Sequence, residues 1–418
     1  MPTKTLLRSA EILHSLKEAR DRGIVANSIT VNFGSVMAHV REVIRNLSGK
    51  YQTLLTENEN IVFFQGSARF SSPHELEIGD RRITSGAFVL ATGASPRIPA
   101  LPGLKDVPFL TYITALELEK LPASVLVLGG RAVALEFAQI FSRFGSKVCL
   151  LQRSDRILPD ADLELSQELR KCLEEEGIEI HTGVEILAIE SASVGATVCV
   201  RSRGDVRSFS AESLFLGLGQ EPNLRSLNLS SAGITSENGS LVRTPDLRTS
   251  VSHIFAIGDV QGENQLATVA GHEGAVAAEN ALSGKHEITD YTWIPRAVFT
   301  SPEAAWSGLT EAQAATTGKK IQIGKAAFSQ VPRAWTHGDT RGFVKLIVSA
   351  GTGEILGASI LGHQAGDLIE EVVIAARAGA TADLLRKSIH VYPTFAEGIR
   401  MAAQALNMDI SKLSCCGE

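Results

Sequence analysis

The sequence predicts an α/β protein of several domains, and three observations carry that reading. Residues 124–152, "SVLVLGGRAVALEFAQIFSRFGSKVCLLQ", run strand, glycine turn, helix, strand, the pattern of one βαβ unit. Short alternating apolar runs from Ile61 to Leu90 read as strands of a small sheet, and from about Tyr291 the pattern turns to strands followed by helices, an α+β arrangement. With 418 residues, 44% of them apolar, the chain can fill roughly two to four cores.

Each element follows in order. Residues 1 to about 22 repeat Leu6, Leu7, Ala10, Leu13 and Leu16 at helical spacing until "DRG" stops them. "IVFFQGSARF", "ELEIG" and "RRITSGAFVLATG" are the small-sheet strands, and the last leaves through the Gly/Pro-rich "ATGASPRIPALPG". A Pro-containing link at 120–122 leads into the βαβ unit; residues 179–219 alternate strand-like runs with polar turns and close on "SLFLGLGQEPN". "HIFAIGD" at 253–259 is a further strand, and the small-residue-rich "LATVAGHEGAVAAENAL" is a tightly packed helix. After Tyr291 come the strands "FVKLIVSA" and "EILGASILG", then helices at 364–380 and 394–406.

The net charge of −6, from 40 basic and 46 acidic residues, leaves no basic patch for nucleic acid. No run of eighteen apolar residues occurs, and "MPTKTLLRSAEILH" has no signal-peptide character, so the expectation is a cytoplasmic protein with no membrane partner. Cys149, Cys172 and Cys199 lie inside apolar strand or helix patterns and read as packing. Cys415 and Cys416 do not. Neighbouring cysteines close a strained ring and make a poor disulfide, while their thiolates together suit a soft, low-coordinate cation such as mercury(II) or copper(I).

The turn "LGGRAVALE" places Gly129, Gly130 and Ala134 where a dinucleotide pyrophosphate would rest on the backbone N–H groups of a helix start, although Arg131 holds the position where a glycine allows close approach. A plain tight turn is the alternative, and the surrounding strand, helix and strand favour the nucleotide. At the end of the second strand Gln152 and Arg153, with Arg156 close behind, stand where an acid would select NAD; a 2′-phosphate suits them, so NADPH is the favoured cofactor. "IFAIGD" ends a strand on Gly258 and Asp259, an acid placed to accept from sugar-like hydroxyls or else an ordinary loop aspartate. "HVYPTFAEGIRMAAQ" sets Tyr392 and Glu397 at the start of a helix, where Glu397 also reads as a simple first-turn acid.

Taken together, "MPTKTLL", "ATGASPRIPALPG", "LGGRAVALEFAQ", "HIFAIGD" and "HVYPTFAEG" resemble the flavin-dependent pyridine nucleotide-disulfide oxidoreductases along the whole chain. Within that family the mercuric reductases match best, because they share the terminal vicinal cysteines and a tyrosine, here Tyr392, where dithiol reductases keep a catalytic histidine. The resemblance implies two dinucleotide-binding domains, the first incomplete, and an α+β dimerisation domain. Residues 1–118 would be the remainder of an FAD-binding domain, 119–240 the NAD(P)H-binding domain, 241–290 a central FAD-contacting segment and 291–418 the dimerisation domain with its cysteine tail. It carries cofactor binding onto Lys4, onto Ala91, Thr92 and Gly93, onto Glu136 beside the turn already named, and onto Gly219. It assigns Tyr392 and Glu397 to catalysis and Cys415 and Cys416 to the metal, in a homodimer that passes electrons from NADPH, by way of FAD and a cysteine pair, to mercury(II).

Two departures stand out. The family's Cys-x-x-x-x-Cys loop, itself preceded by the strand and G-x-G-x-x-G turn that hold the ADP half of FAD, precedes "PTK", so the resemblance expects that turn and both redox thiols ahead of Met1 and expects Met1 to be an internal methionine. A tyrosine of the mercuric enzymes falls at Phe109, with Tyr112 out of register. A dihydrolipoamide dehydrogenase-like or other disulfide reductase is the second reading. A non-catalytic remnant that binds NADPH or a soft metal is the third.

Overall fold

A computed structural model describes residues 1–412 apart from Ala26 and Asn238; Cys415 and Cys416 lie outside the described residues. α1 (Pro2–Glu18) starts on a proline, which loses no hydrogen bond in a first turn, and buries Leu6, Leu7, Ala10 and Leu13 along the predicted stripe, while Leu16 stays exposed. α2 (Phe33–Glu57) was not legible: of its 25 residues only Met37 and Val40 are buried, too few to show a helical period. β1 (Ala68–Ser72), β2 (Glu75–Ile78) and β3 (Arg81–Thr84) form an antiparallel sheet held by Arg69 and Arg82 against Glu77. The expected strand run "IVFFQGSARF" becomes regular only at Ala68, in β1; its start is irregular chain with Val62 and Phe63 exposed, and among the described residues no neighbouring strand pairs with it. β4 (Phe88–Leu90) and β5 (Ala94–Pro96) follow.

β6 (Ser124–Leu128), α3 (Ala132–Phe144) and β7 (Lys147–Gln152) are the βαβ unit as read. α4 (Leu163–Glu175) leads to β8 (Glu179–Thr182), β9 (Val184–Ser191), β10 (Ala196–Ser202), β11 (Asp205–Ala211) and β12 (Ser213–Leu216). The parallel sheet runs β12-β6-β7-β8. Its β6 reads as an unbroken apolar run because both faces are covered: Phe137 and Phe141 of α3, with Phe215, fill one side, and the β9–β11 meander packs Val184, Ile189, Val198 and Val200 on Leu126, Leu128, Leu151, Leu214 and Leu216 on the other.

β13 (Gln220–Pro222), β14 (Ser236–Glu237), β15 (Ser240–Leu241), β16 (Ile254–Ala256) and α5 (Ala267–Ser283) come next. β13 pairs antiparallel with β5 and β16 pairs parallel with β4, over a core of Phe70, Phe88, Leu90, Ile254, Ala256 and Val260.

The last third holds β17 (Arg296–Val298), β18 (Glu303–Gly308), α6 (Glu311–Ala315), β19 (Ile321–Ala327), α7 (Pro332–His337), β20 (Phe343–Ser349), β21 (Ile355–Gly362), α8 (Ala365–Arg377), α9 (Ala382–Lys387) and α10 (Glu397–Gln404). One antiparallel sheet, β17-β18-β21-β20-β19, is covered by α8 and α10. Lys345 sits buried in the middle of β20, and its ammonium is held by Asp162 at 2.9 Å and Glu311 at 2.6 Å. That pairing offsets the cost of burying a charge in an apolar strand.

The chain folds as two compact units, one of residues 1–44, 98–218 and 292–418, the other of residues 45–97 and 219–291. Among the described residues no helix is long and apolar enough to cross a membrane.

Candidate active site

In the first unit, β6 delivers the chain into the glycine turn. Gly129 has φ 117, and a Cβ there would stand 2.3 Å from the carbonyl oxygen of Gly217. Only glycine fits. A Cβ on Gly217 would in turn meet that of Ala134 at 2.6 Å, so a small residue at 134 lets α3 close on the sheet. Gly130 lies against the buried Gln152. α3 starts after Arg131 with no side-chain cap, which leaves its first-turn N–H groups available to an anion. The Arg131 guanidinium is drawn aside by Asp160, with Nη2 donating to Oδ1 at 3.1 Å. Arg153 is exposed at the end of β7, whereas Arg156 spends Nη2 on the carbonyls of Pro159 and Ala161 at 2.7 and 3.1 Å. Gly129→Ala is expected to cost about 1–3 kcal/mol in urea unfolding, through both its φ and the backbone clash, and to abolish nucleotide binding by the folded fraction.

Lys4 and Glu136, 132 residues apart, meet. The Lys4 ammonium lies 2.9 and 2.7 Å from the two oxygens of Glu136 and 4.6 Å from the centre of the Phe299 ring. The Glu136 side chain is 2% exposed and also accepts the Phe299 N–H at 3.1 Å, while Lys4 remains 40% exposed on a cleft of about 630 Å³. The carboxylate thus anchors an ammonium whose outer side faces open space.

Also in this unit, Tyr392 precedes a cis proline and is half exposed. Glu397, the first residue of α10, accepts the N–H of Thr394 ahead of the helix at 3.2 Å, and burial raises its carboxyl above the usual range. His390, whose side chain is only 8% exposed, bonds Glu371 at 2.8 Å, and that bond raises its imidazole above the ordinary value. A raised folded-state value stabilises the protein below the unfolded value, about 6.5, and the gain is lost as pH climbs through the folded value. The stability difference between the parent and His390→Gln, measured by thermal unfolding, is expected to be largest at acid pH and to shrink above neutrality.

In the second unit, Ala91, Thr92 and Gly93 leave the C-terminal end of β4, and Gly258 and Asp259 leave the same end of its parallel neighbour β16. Thr92 and Asn223 exchange hydrogen bonds at 2.9 and 3.0 Å, and the Gly219 carbonyl accepts the Arg97 N–H at 3.0 Å. Gly93 and Gly219 have φ 68 and 92 with nothing near a would-be Cβ, so both turns present bare backbone. Buried Glu273 of α5 accepts the Gly258 N–H at 2.6 Å and the Gln261 amide at 2.7 Å. Burial, then Glu273, raises the Asp259 carboxyl, and Gln261 Oε1 is buried without a partner. Hydroxyl donors would relieve both.

Residues 1–274 match the family described as pyridine nucleotide-disulphide oxidoreductase, and residues 294–403 match its dimerisation domain. The chain belongs to the pyridine nucleotide-disulphide oxidoreductases. The chain is 34% identical over its whole length to a mercuric reductase of Bacillus cereus, of which it spans 66%. It is 33% identical over 97% of its length to a dihydrolipoyl dehydrogenase of Bacillus subtilis (strain 168), of which it spans 88%. The HOCl-induced flavoprotein disulfide reductase RclA from Escherichia coli has a TM-score of 0.86 at 28% identity, covering 96% of this chain and 89% of that one.

This family of oxidoreductases depends on FAD and uses NAD(P)H, and the residues present fit the pyrophosphate of the nicotinamide nucleotide and the polyol part of FAD. The Gly129 turn suits a pyrophosphate; Asp259, the open Gln261 acceptor and the bare turns at Gly93 and Gly219 suit a polyol and its phosphates. Sequence reasoning missed Phe299, Asn223, Glu273 and the His390–Glu371 pair. Each acts through a partner far along the chain, and only Glu273, an acid in a small-residue helix, left a local sign.

Proposed function

We propose that this chain is the body of an NADPH-dependent flavoenzyme that reduces mercury(II) to elemental mercury as a homodimer in the cytoplasm. Tyr392 supports this reading best. A dithiol substrate must lose protons, and an imidazole does that near neutral pH; a phenol, which titrates near about 10, does not. Mercury(II) arrives bound to thiolates and needs no base.

Here the Gly129 turn and the start of α3 would hold the pyrophosphate of NADPH, with Arg153 drawing in the 2′-phosphate and Gln152 packed beneath the turn. Asp259 and the Ala91–Gly93 loop would hold the sugar-alcohol part of FAD, which supplies the means to pass the electron pair of NADPH onward to thiols and metal. Glu136 holds the Lys4 ammonium in place. Cys415 and Cys416 take the soft ion and release it by thiolate exchange, so no free ion forms. The sum balances: NADPH and mercury(II) give NADP⁺, a proton and the neutral metal.

Arg153→Glu is expected to lower the kcat/KM preference for NADPH over NADH by roughly 10- to 100-fold, since it replaces one charge-assisted contact with repulsion. An unchanged preference would remove Arg153 from the 2′-phosphate. The substrate itself is tested by initial rates with mercury(II) against lipoamide. Faster lipoamide turnover would favour the second reading, a disulfide reductase, which the similarity to dihydrolipoyl dehydrogenase and to RclA supports.

A further inference from the structure

Cys149 was read as core packing, yet it is only half-buried. Strand pairing gives it company. β7 and β8 run parallel with Cys149 opposite Glu179 and Leu151 opposite His181, so Cys149, Glu179 and His181 project from one face of the sheet. β8 is the edge strand, and this corner opens to solvent through Glu179 and His181. One ligand atom from each residue, a sulfur, a carboxylate oxygen and an imidazole nitrogen, lies within 4.8 Å of the other two. The imidazole is already positioned: its ring centre is 4.6 Å from that of Phe209 on β11, and Nε2 is 2.6 Å from Glu179 Oε1.

We propose that Cys149, Glu179 and His181 bind a zinc-like divalent cation, with a fourth position left to water. The donor set decides the class of ion. Magnesium and calcium take oxygen ligands, while mercury(II) and copper(I) are satisfied by two soft ligands, which Cys415 and Cys416 offer. One thiolate, one imidazole and one carboxylate match the mixed sets that hold zinc with one position open. Burial and the Glu179 carboxylate push the Cys149 thiol up to about 12 in the empty site, and a cation between the two groups reverses that electrostatic cost. The bound ion would cross-link the edge strand β8 to β7.

The test uses the full chain carrying Cys415→Ala and Cys416→Ala, so that the tail thiols do not compete, titrated with cobalt(II) as a coloured substitute for zinc. The expected result is one equivalent bound with a thiolate-to-cobalt charge-transfer band that zinc displaces. The band should vanish in Cys149→Ser and also in His181→Gln, a substitution at a partly exposed position whose folding is checked by circular dichroism. Absence of the band in the parent, or its survival in either variant, overturns the proposal.

Discussion

Lys4→Met is expected to slow flavin reduction by NADPH roughly a hundredfold in single-turnover experiments, the scale on which a positioned charge contributes to a transition state. Removing the ammonium takes from the Glu136 carboxylate, 2% exposed, its charged partner and leaves it the Phe299 N–H. The same variant should therefore lose roughly 1–3 kcal/mol of stability, because a buried acceptor stripped of its partner bears its own desolvation. The figure sits at the modest end for a buried charge, since Lys4 itself is 40% exposed and water can follow it in. Glu136→Gln separates the two effects: it keeps the shape and the Phe299 contact, so stability should change little while flavin reduction still slows. Flavin reduction at the parental rate in both variants would remove the pair from the chemistry.

The second large effect belongs to the tail. Replacing Cys415 and Cys416 by alanine is expected to lower kcat/KM for thiol-bound mercury(II) by roughly a hundredfold or more, the usual gain from making a transfer intramolecular. NADPH oxidation by an artificial flavin oxidant should continue at the parental rate, because that reaction never uses the tail. Equal loss of both activities would mean that the substitutions damage the flavin site or the dimer, and the relay would be withdrawn.

The parts of this site that were legible in the sequence are those set by neighbours along the chain. The Gly129 turn is bounded by an apolar strand and a periodic helix, and Glu397 caps the N–H of a residue three positions away. Arg156, whose position suits a phosphate, also gives Nη2 to two carbonyls of its own loop, a contact no spacing rule reports. α2 escaped because two buried residues in 25 make no period, and the start of the "IVFFQGSARF" run suggested a strand that has no partner among the described residues. Pairs such as Lys4–Glu136 and Lys345–Asp162 depend on folds bringing distant segments together, and no spacing rule reports them. Cys149 shows the limit most plainly, since its neighbours Glu179 and His181 come from the next strand of the sheet.

The most direct measurement is NADPH-dependent loss of mercury(II) as volatile metal, with FAD added and lipoamide assayed in parallel, on this chain and on a version extended upstream to carry a Cys-x-x-x-x-Cys loop. Mercury reduction that depends on Cys415 and Cys416, with little lipoamide turnover, is the expected result. Brisk lipoamide reduction with no volatile mercury would contradict the mercury reading and make this protein a dithiol reductase.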